Sequence, residues 1–242
     1  MKRKLLLSVL IPTLIFSWTI TPSKVFIDTE KGSTILTVKG AAKDEAQPIS
    51  IYAASRIINI DGKETYEKIK GKFHIVPSQF MIKPNETKLV RLIWRGKKDL
   101  GGEQAYRIII QGVPISTPKV LLTEAGATAS VANLTKFVIP AFVRNKKFKH
   151  KEKLSVVSHE IKTEDKKKYL LLKIKNTGKK HKYIKDFSLT FNLPDSKKTS
   201  VKLEASSLKN SSLILSKHER ILKIAWSDEF PQKFQGVNAV FN

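Results

Sequence analysis

Residues 73–94 read FHIVPSQFMIKPNETKLVRLIW. Short apolar runs rich in Ile, Val and Phe are cut by Pro77 and Pro84. Proline lacks the N–H that a central strand donates, so it is confined to strand ends, edges and bulges. The two prolines therefore bracket a short strand, QFMI, rather than interrupt a longer one. Arg91 then stands between Val90 and Leu92, residues of the kind that become buried. A guanidinium in such company must be paired or hydrogen-bonded, since a lone buried charge costs on the order of several kcal/mol.

The same punctuation continues on both sides. KVFID, STILTVKG, ISIYAASRIINI, KFHIVP, TKLVRLIW and YRIIIQGVP are β-branched and aromatic runs separated by Pro, Gly, Asn and Asp. This pattern predicts an all-β sandwich. Asp61-Gly62 is a strong hairpin signal after INI. A second block follows FVRN: LSVVSHEIKT, KYLLLKIKN, KYIKDFSLTFNL, KTSVKLEA, SLILS, RILKIAW and NAVFN read as a second sandwich. KKFKHKEK (146–153) lacks an apolar period and reads as a linker or an exposed strand start. A chain of 242 residues accommodates two domains of about 100 residues each. The expected division is a first domain over 20–145 and a second over 146–242.

Residues 1–19 read as a secretory signal: MKRK supplies a cationic start and LLLSVLIPTLIF an apolar run of 12 residues. That run is too short for a bilayer, which needs about 20 residues, so no stable membrane span is expected after cleavage near Phe16 to Thr19. There is no cysteine, which excludes disulfides, thiolate metal sites and a thiol nucleophile. The five histidines show no H-x-x-x-H spacing. A phosphate loop, G-x-G-x-x-G and G-x-S-x-G are all absent, so no metal, no cofactor and no catalytic residue is expected. These absences describe a binding protein.

With those strands in place, the stretch at 73–94 resembles a hallmark of the periplasmic pilus-assembly chaperones, the PapD-like family. Val76, Pro77, Phe80, Ile82, Pro84, Glu86, Val90 and Arg91 carry the match. ITPSKVFID resembles the family's first strand, and GEQAYRIIIQGVP resembles its E-x-x-[YF] segment ending at Pro114. KFVIPAFVR is similar to the last strand of the first domain, and LKIKNTGKKHKYI to the second domain's N-[TP]-G-x-x-H stretch.

The resemblance implies two immunoglobulin-like sandwiches set at an angle around a cleft, in a periplasmic chaperone of pilus or fimbrial subunits that works with an outer-membrane usher. It implies donor-strand complementation by a segment near the end of the first domain, with Val120, Leu122, Val131 and Leu134 as candidates. It implies two basic residues that hold the subunit's terminal carboxylate. Lys24 matches the first. The second falls on Pro140 by alignment, so Lys136 is preferred and Arg144 is the runner-up. It also implies an internal ion pair between Arg91 and Glu103.

The formal charge of +24 suggests an alternative, a secreted basic β-protein that binds anionic polymers through the lysine-rich second domain. The lysines run from Lys31 to Lys233 rather than forming one tail, and few aromatics lie between them for base stacking, so no nucleic-acid partner is expected.

Overall fold

A computed structural model describes residues 18–42, 45–114, 121–122, 128–129, 135–147, 153–210 and 212–241. The first half of the chain contains β1 (Trp18–Thr21), β2 (Val25–Asp28), β3 (Ser33–Gly40) and β4 (Gln47–Ser55). A hairpin of β5 (Ile57–Ile58) and β6 (Glu64–Thr65) follows, then β7 (Phe73–Val76), β8 (Gln79–Ile82) and β9 (Thr87–Trp94). It closes with β10 (Gln104–Gly112), the short pair β11 (Leu121–Leu122) and β12 (Thr128–Ala129), and β13 (Lys136–Arg144).

Two sheets form, with strand orders β1-β3-β9-β7 and β2-β13-β10-β4-β8. Their facing sides enclose Val25, Leu36, Ile51, Leu92, Ile108 and Ala141, among others. Trp18 is buried in this core, edge-on to Phe137 at 4.9 Å. The sandwich therefore begins before residue 20, because Trp18 and Thr19 already pair with Gly40 and Lys39.

The second half contains β14 (Leu154–Glu164), β15 (Lys167–Asn176), β16 (Lys182–Tyr183) and β17 (Asp186–Asn192). β18 (Lys198–Glu204), β19 (Leu213–Ile214), β20 (Glu219–Ala225) and β21 (Gly236–Phe241) complete it. Sheets β14-β15-β20 and β18-β17-β21 enclose Leu172, Phe187, Phe191 and Leu222. The molecule is thus all-β with two sandwiches, as the alternating runs predict.

A third apolar cluster joins them. Phe142 of the first sandwich and Leu213 and Leu215 of the second are buried together, with Ile58, Ala105 and Tyr183 packed alongside. Asp61-Gly62 does form a hairpin turn: Gly62 has φ +98°, and its N–H donates to the Asn59 carbonyl at 3.1 Å. A φ in that region suits glycine, which has no Cβ to clash.

Candidate functional site: the cleft face of the five-stranded sheet

Strand alternation sorts the first sandwich into core and surface. In β10, Tyr106, Ile108 and Ile110 join the core, so Ala105 and Arg107 point the other way, and Ala105 packs against the seam with the second sandwich. In β13, Ile139, Ala141 and Val143 point inward, which leaves Lys136, Val138, Pro140, Phe142 and Arg144 on the outer face. In β2, Val25 and Ile27 are in the core and Phe26 is 43% exposed.

The register then aligns these outward residues in rows. Phe26, Phe142 and Ala105 form one row. The next contains Pro140, Arg107 and Ala54, with Arg107 paired to both; Lys24, the residue before β2, precedes the Ala141–Val25 pair and so lies at the Pro140 end of that ladder.

Lys24 is half-buried, and its Nζ lies 4.7 Å from the centroid of the Tyr183 ring across the domain boundary. It lines a cleft of about 560 Å³ with Tyr183, Lys185, Asp186, Glu204 and Ser212 of the second sandwich. Arg107 stands on the other side of Pro140. Its Nε donates to Glu64 Oε1 at 2.5 Å, and Arg56 Nη2 donates to Glu64 Oε2 at 2.9 Å. Burial pushes the Glu64 carboxyl up, but the hydrogen bonds and charges of Arg107 and Arg56 outweigh it and hold the group below its ordinary value. Two guanidiniums share one carboxylate, so the group retains a positive charge. Arg56 is also short of partners, since its buried Nε and Nη1 have none among the described residues.

Phe142 separates this charged row from a second polar centre. One face of its ring stacks on His181 at 4.0 Å, and the Arg56 guanidinium carbon lies 5.8 Å from its centroid. Beyond it, the Glu103 side chain is 1% exposed. Glu103 Oε2 accepts from Arg144 Nη1 at 3.4 Å, and Oε1 accepts from the His181 backbone N–H at 3.1 Å and contacts His181 Nδ1. The buried carboxylate thus ties the end of the first sandwich to the turn 177–182 of the second.

The expected Arg91–Glu103 pair is not formed. Val90 and Leu92 are fully buried, so alternation turns Arg91 outward, where it is exposed and donates from Nη2 to Ser33 Oγ at 3.3 Å. It lies on the opposite sheet from β10. Glu103 does have a cationic partner, but β13 supplies it.

Lys136 and Arg144 each lie four residues from Pro140 along β13, about 13 Å in either direction, so the register puts neither beside Lys24. Lys136 is exposed, with its Nζ 5.2 Å from the Tyr66 ring centroid, and Arg144 is committed to Glu103. Arg107, absent from the sequence expectations, is the cation that the sheet sets beside Pro140. The alternation in AYRIII was enough to turn it outward, but only the pairing of β10 with β13 places it next to Pro140. Of the donor-strand candidates, Val120, Val131 and Leu134 lie outside the described residues; Leu122 lies in β11, and its side chain also lies outside them.

Several lysines of the second sandwich are engaged locally. Lys173 and Lys175 both meet Glu219, Lys223 meets Glu164, and Lys168 lies over Trp226 at 3.5 Å. Among the described residues, no group of three or more His, Cys, Asp or Glu could hold a metal ion. Nor is any helix there long and apolar enough to cross a membrane.

Two β-sandwiches joined through a packed seam, with cations facing the cleft, define a two-domain binding protein. The sequence profile of the pili and flagellar-assembly chaperone, PapD N-terminal domain, matches residues 17–149, and the chain belongs to that family. Its members are assembly chaperones, not enzymes. A comparison with curated protein sequences returned no match.

Solved structures share the fold across both sandwiches. The chain is similar to the chaperone–tip subunit pre-assembly complex CsuC–CsuE of archaic Csu pili from Acinetobacter baumannii, with 16% identity and TM-score 0.55, covering 92% of this chain and 91% of that one. The class 5 fimbriae chaperone CfaA gives 18% identity and TM-score 0.53, covering 93% and 92%. The complex of the SafA pilin with the SafB chaperone from Salmonella enterica gives 14% and 0.51, covering 88% and 86%.

Proposed function

We propose that this chaperone binds a fimbrial or pilus subunit in the periplasm by lending it a strand, and that it holds the subunit's terminal carboxylate between Lys24 and Arg107. The observation that carries this reading is the open edge of β13. β2 runs beside Ala141–Arg144 alone, so among the described residues Lys136–Pro140 have β10 on one side and no strand on the other. An incoming strand can complete that ladder through backbone hydrogen bonds, while alternate side chains fill its partner's groove. Val138, 36% exposed, faces outward within this stretch.

The open edge runs into the Lys24–Pro140–Arg107 row. Pro140 is short and apolar, and it leaves space above the sheet between two long cations. Neighbouring strands are about 4.8 Å apart, so Lys24 and Arg107, with β13 between them, start about 10 Å from each other, a gap that two long side chains can close on one carboxylate. Arg107 is held to Glu64 through Nε alone, so its two Nη groups supply the fork that Lys24 lacks. Export follows cleavage before Trp18, since a later cut would remove a core residue. Delivery to an outer-membrane usher completes the cycle.

The test is periplasmic co-expression with exported subunit candidates, followed by isolation of a one-to-one complex. A peptide of the bound subunit's C-terminus is then compared as free acid and as amide. The expected result is a complex with wild type and binding of the acid above the amide. Equal binding of the two peptides would remove the carboxylate from the mechanism. Capture of a model polyanion with a steep salt dependence, and of no subunit, would replace the reading with polyanion binding.

A further inference from the structure

The hairpin 57–65 packs Ile58 against the seam cluster, and its tip reaches across the domain boundary. Ile221 N–H of β20 donates to the Ile60 carbonyl at 2.8 Å, so the tip adds a backbone hydrogen bond to the edge of the second sandwich. Asn210 Nδ2 bridges the Asp61 carbonyl at 3.1 Å and the Ile221 carbonyl at 2.7 Å. Arg220, only 2% exposed, donates from Nη1 to the Asn59 carbonyl at 3.1 Å. Gly62 lies flat against the same guanidinium: a Cβ there would fall 2.4 Å from Arg220 Nη2. At the other end of the hairpin, Glu64 is fixed to Arg56 and Arg107 of the first sandwich. A void of about 10 Å³ is all that remains where Ile58, Leu213, Leu215, His218 and Arg220 meet.

The sandwiches are therefore joined along one apolar seam, that of Phe142, Leu213, Leu215 and Ile58, with two polar ties beside it: the Glu103–Arg144–His181 centre and this hairpin. Apolar packing is non-directional and leaves one sandwich free to pivot, whereas directional hydrogen bonds at a second point hold the angle. We infer that the hairpin 57–65 is a clasp that fixes the angle between the domains, with Arg220 and Asn210 as positioning residues for the cleft. Burial pushes the Arg220 guanidinium below its ordinary value while the charge of nearby Asp61 pushes it back up, so the group depends on the hairpin for its surroundings. The consequence for subunit binding rests on the function proposed above. The angle itself does not.

The absence of native cysteine makes the angle measurable with spin labels at Lys39→Cys and Lys198→Cys, exposed positions on the two sandwiches. The inter-label distance distribution is compared among wild type, Gly62→Val, which drives a side chain into Arg220, and Asn210→Ala, a milder change outside both cores. The clasp predicts a narrow wild-type distribution that broadens in both variants while each remains folded by circular dichroism. Should Gly62→Val not fold, Asn210→Ala carries the test. Unchanged widths in the folded variants would overturn the clasp. Where wild type binds a subunit, the same variants should lose about 5- to 10-fold in affinity through the domain angle. Failure of wild type itself to bind would instead sink the functional proposal and leave the distance result standing.

Discussion

Arg91 and Arg107 occupy equivalent positions on opposite sheets of one sandwich. Each is central in its strand, with core residues on both sides, and each is turned outward by alternation. Arg91 opens onto solvent and touches a serine hydroxyl. Arg107 shares its outer face with seam residue Ala105 and is held by a carboxylate from a hairpin that crosses the boundary. Alternation gave both their direction. What lies over the sheet gives one of them a carboxylate partner and, in the function proposed above, a place at the subunit's terminus. A third arginine, Arg144, completes the series, because its partner Glu103 is the one that is buried.

The largest expected effect belongs to that third case. Arg144→Ala strands Glu103 in the seam with His181 alone, and breaking a buried pair this way costs about 3–5 kcal/mol. Urea unfolding measures it, and a loss below about 1 kcal/mol would show that the seam tolerates the lone carboxylate. Next comes Arg107→Met, expected to lower subunit affinity by about 2–3 kcal/mol as an interfacial charge contact is lost. In the same titration Arg91→Met should leave affinity unchanged. Equal losses from both would erase the distinction between the two faces.

Acid sharpens the contrast further. Because the Glu64 carboxyl is held below its ordinary value of 4.5, its ionised form stabilises the fold above that pH, and the contribution fades as pH falls through the lower folded value. Melting temperature against pH should therefore fall less steeply on the acid side in Glu64→Gln than in wild type. Identical slopes would mean that Glu64 gains nothing from its two arginines. The smallest effect is expected of Arg91→Ala, a change of stability within about 0.5 kcal/mol, as for an ordinary surface site. A loss of several times that would reinstate a structural duty for Arg91.

The strands were legible in the sequence, because a period of two and its proline and glycine punctuation are local properties. QFMI between its prolines, the hairpin at Asp61-Gly62 and the two sandwich blocks all follow from residues a few positions apart. The sequence also marked Arg91 as a charge in need of a partner, and the family resemblance named Glu103 as that partner and Lys24 as a carboxylate anchor. The choice of partner was left to the tertiary structure. Arg144 rather than Arg91 reaches Glu103, because Arg91 lies on the other sheet. Arg107 stands beside Pro140 because β10 pairs with β13 in one register, and a slip of one residue would have sent it to the other face. Register and domain angle depend on contacts between residues far apart in the chain, so no local pattern encodes them.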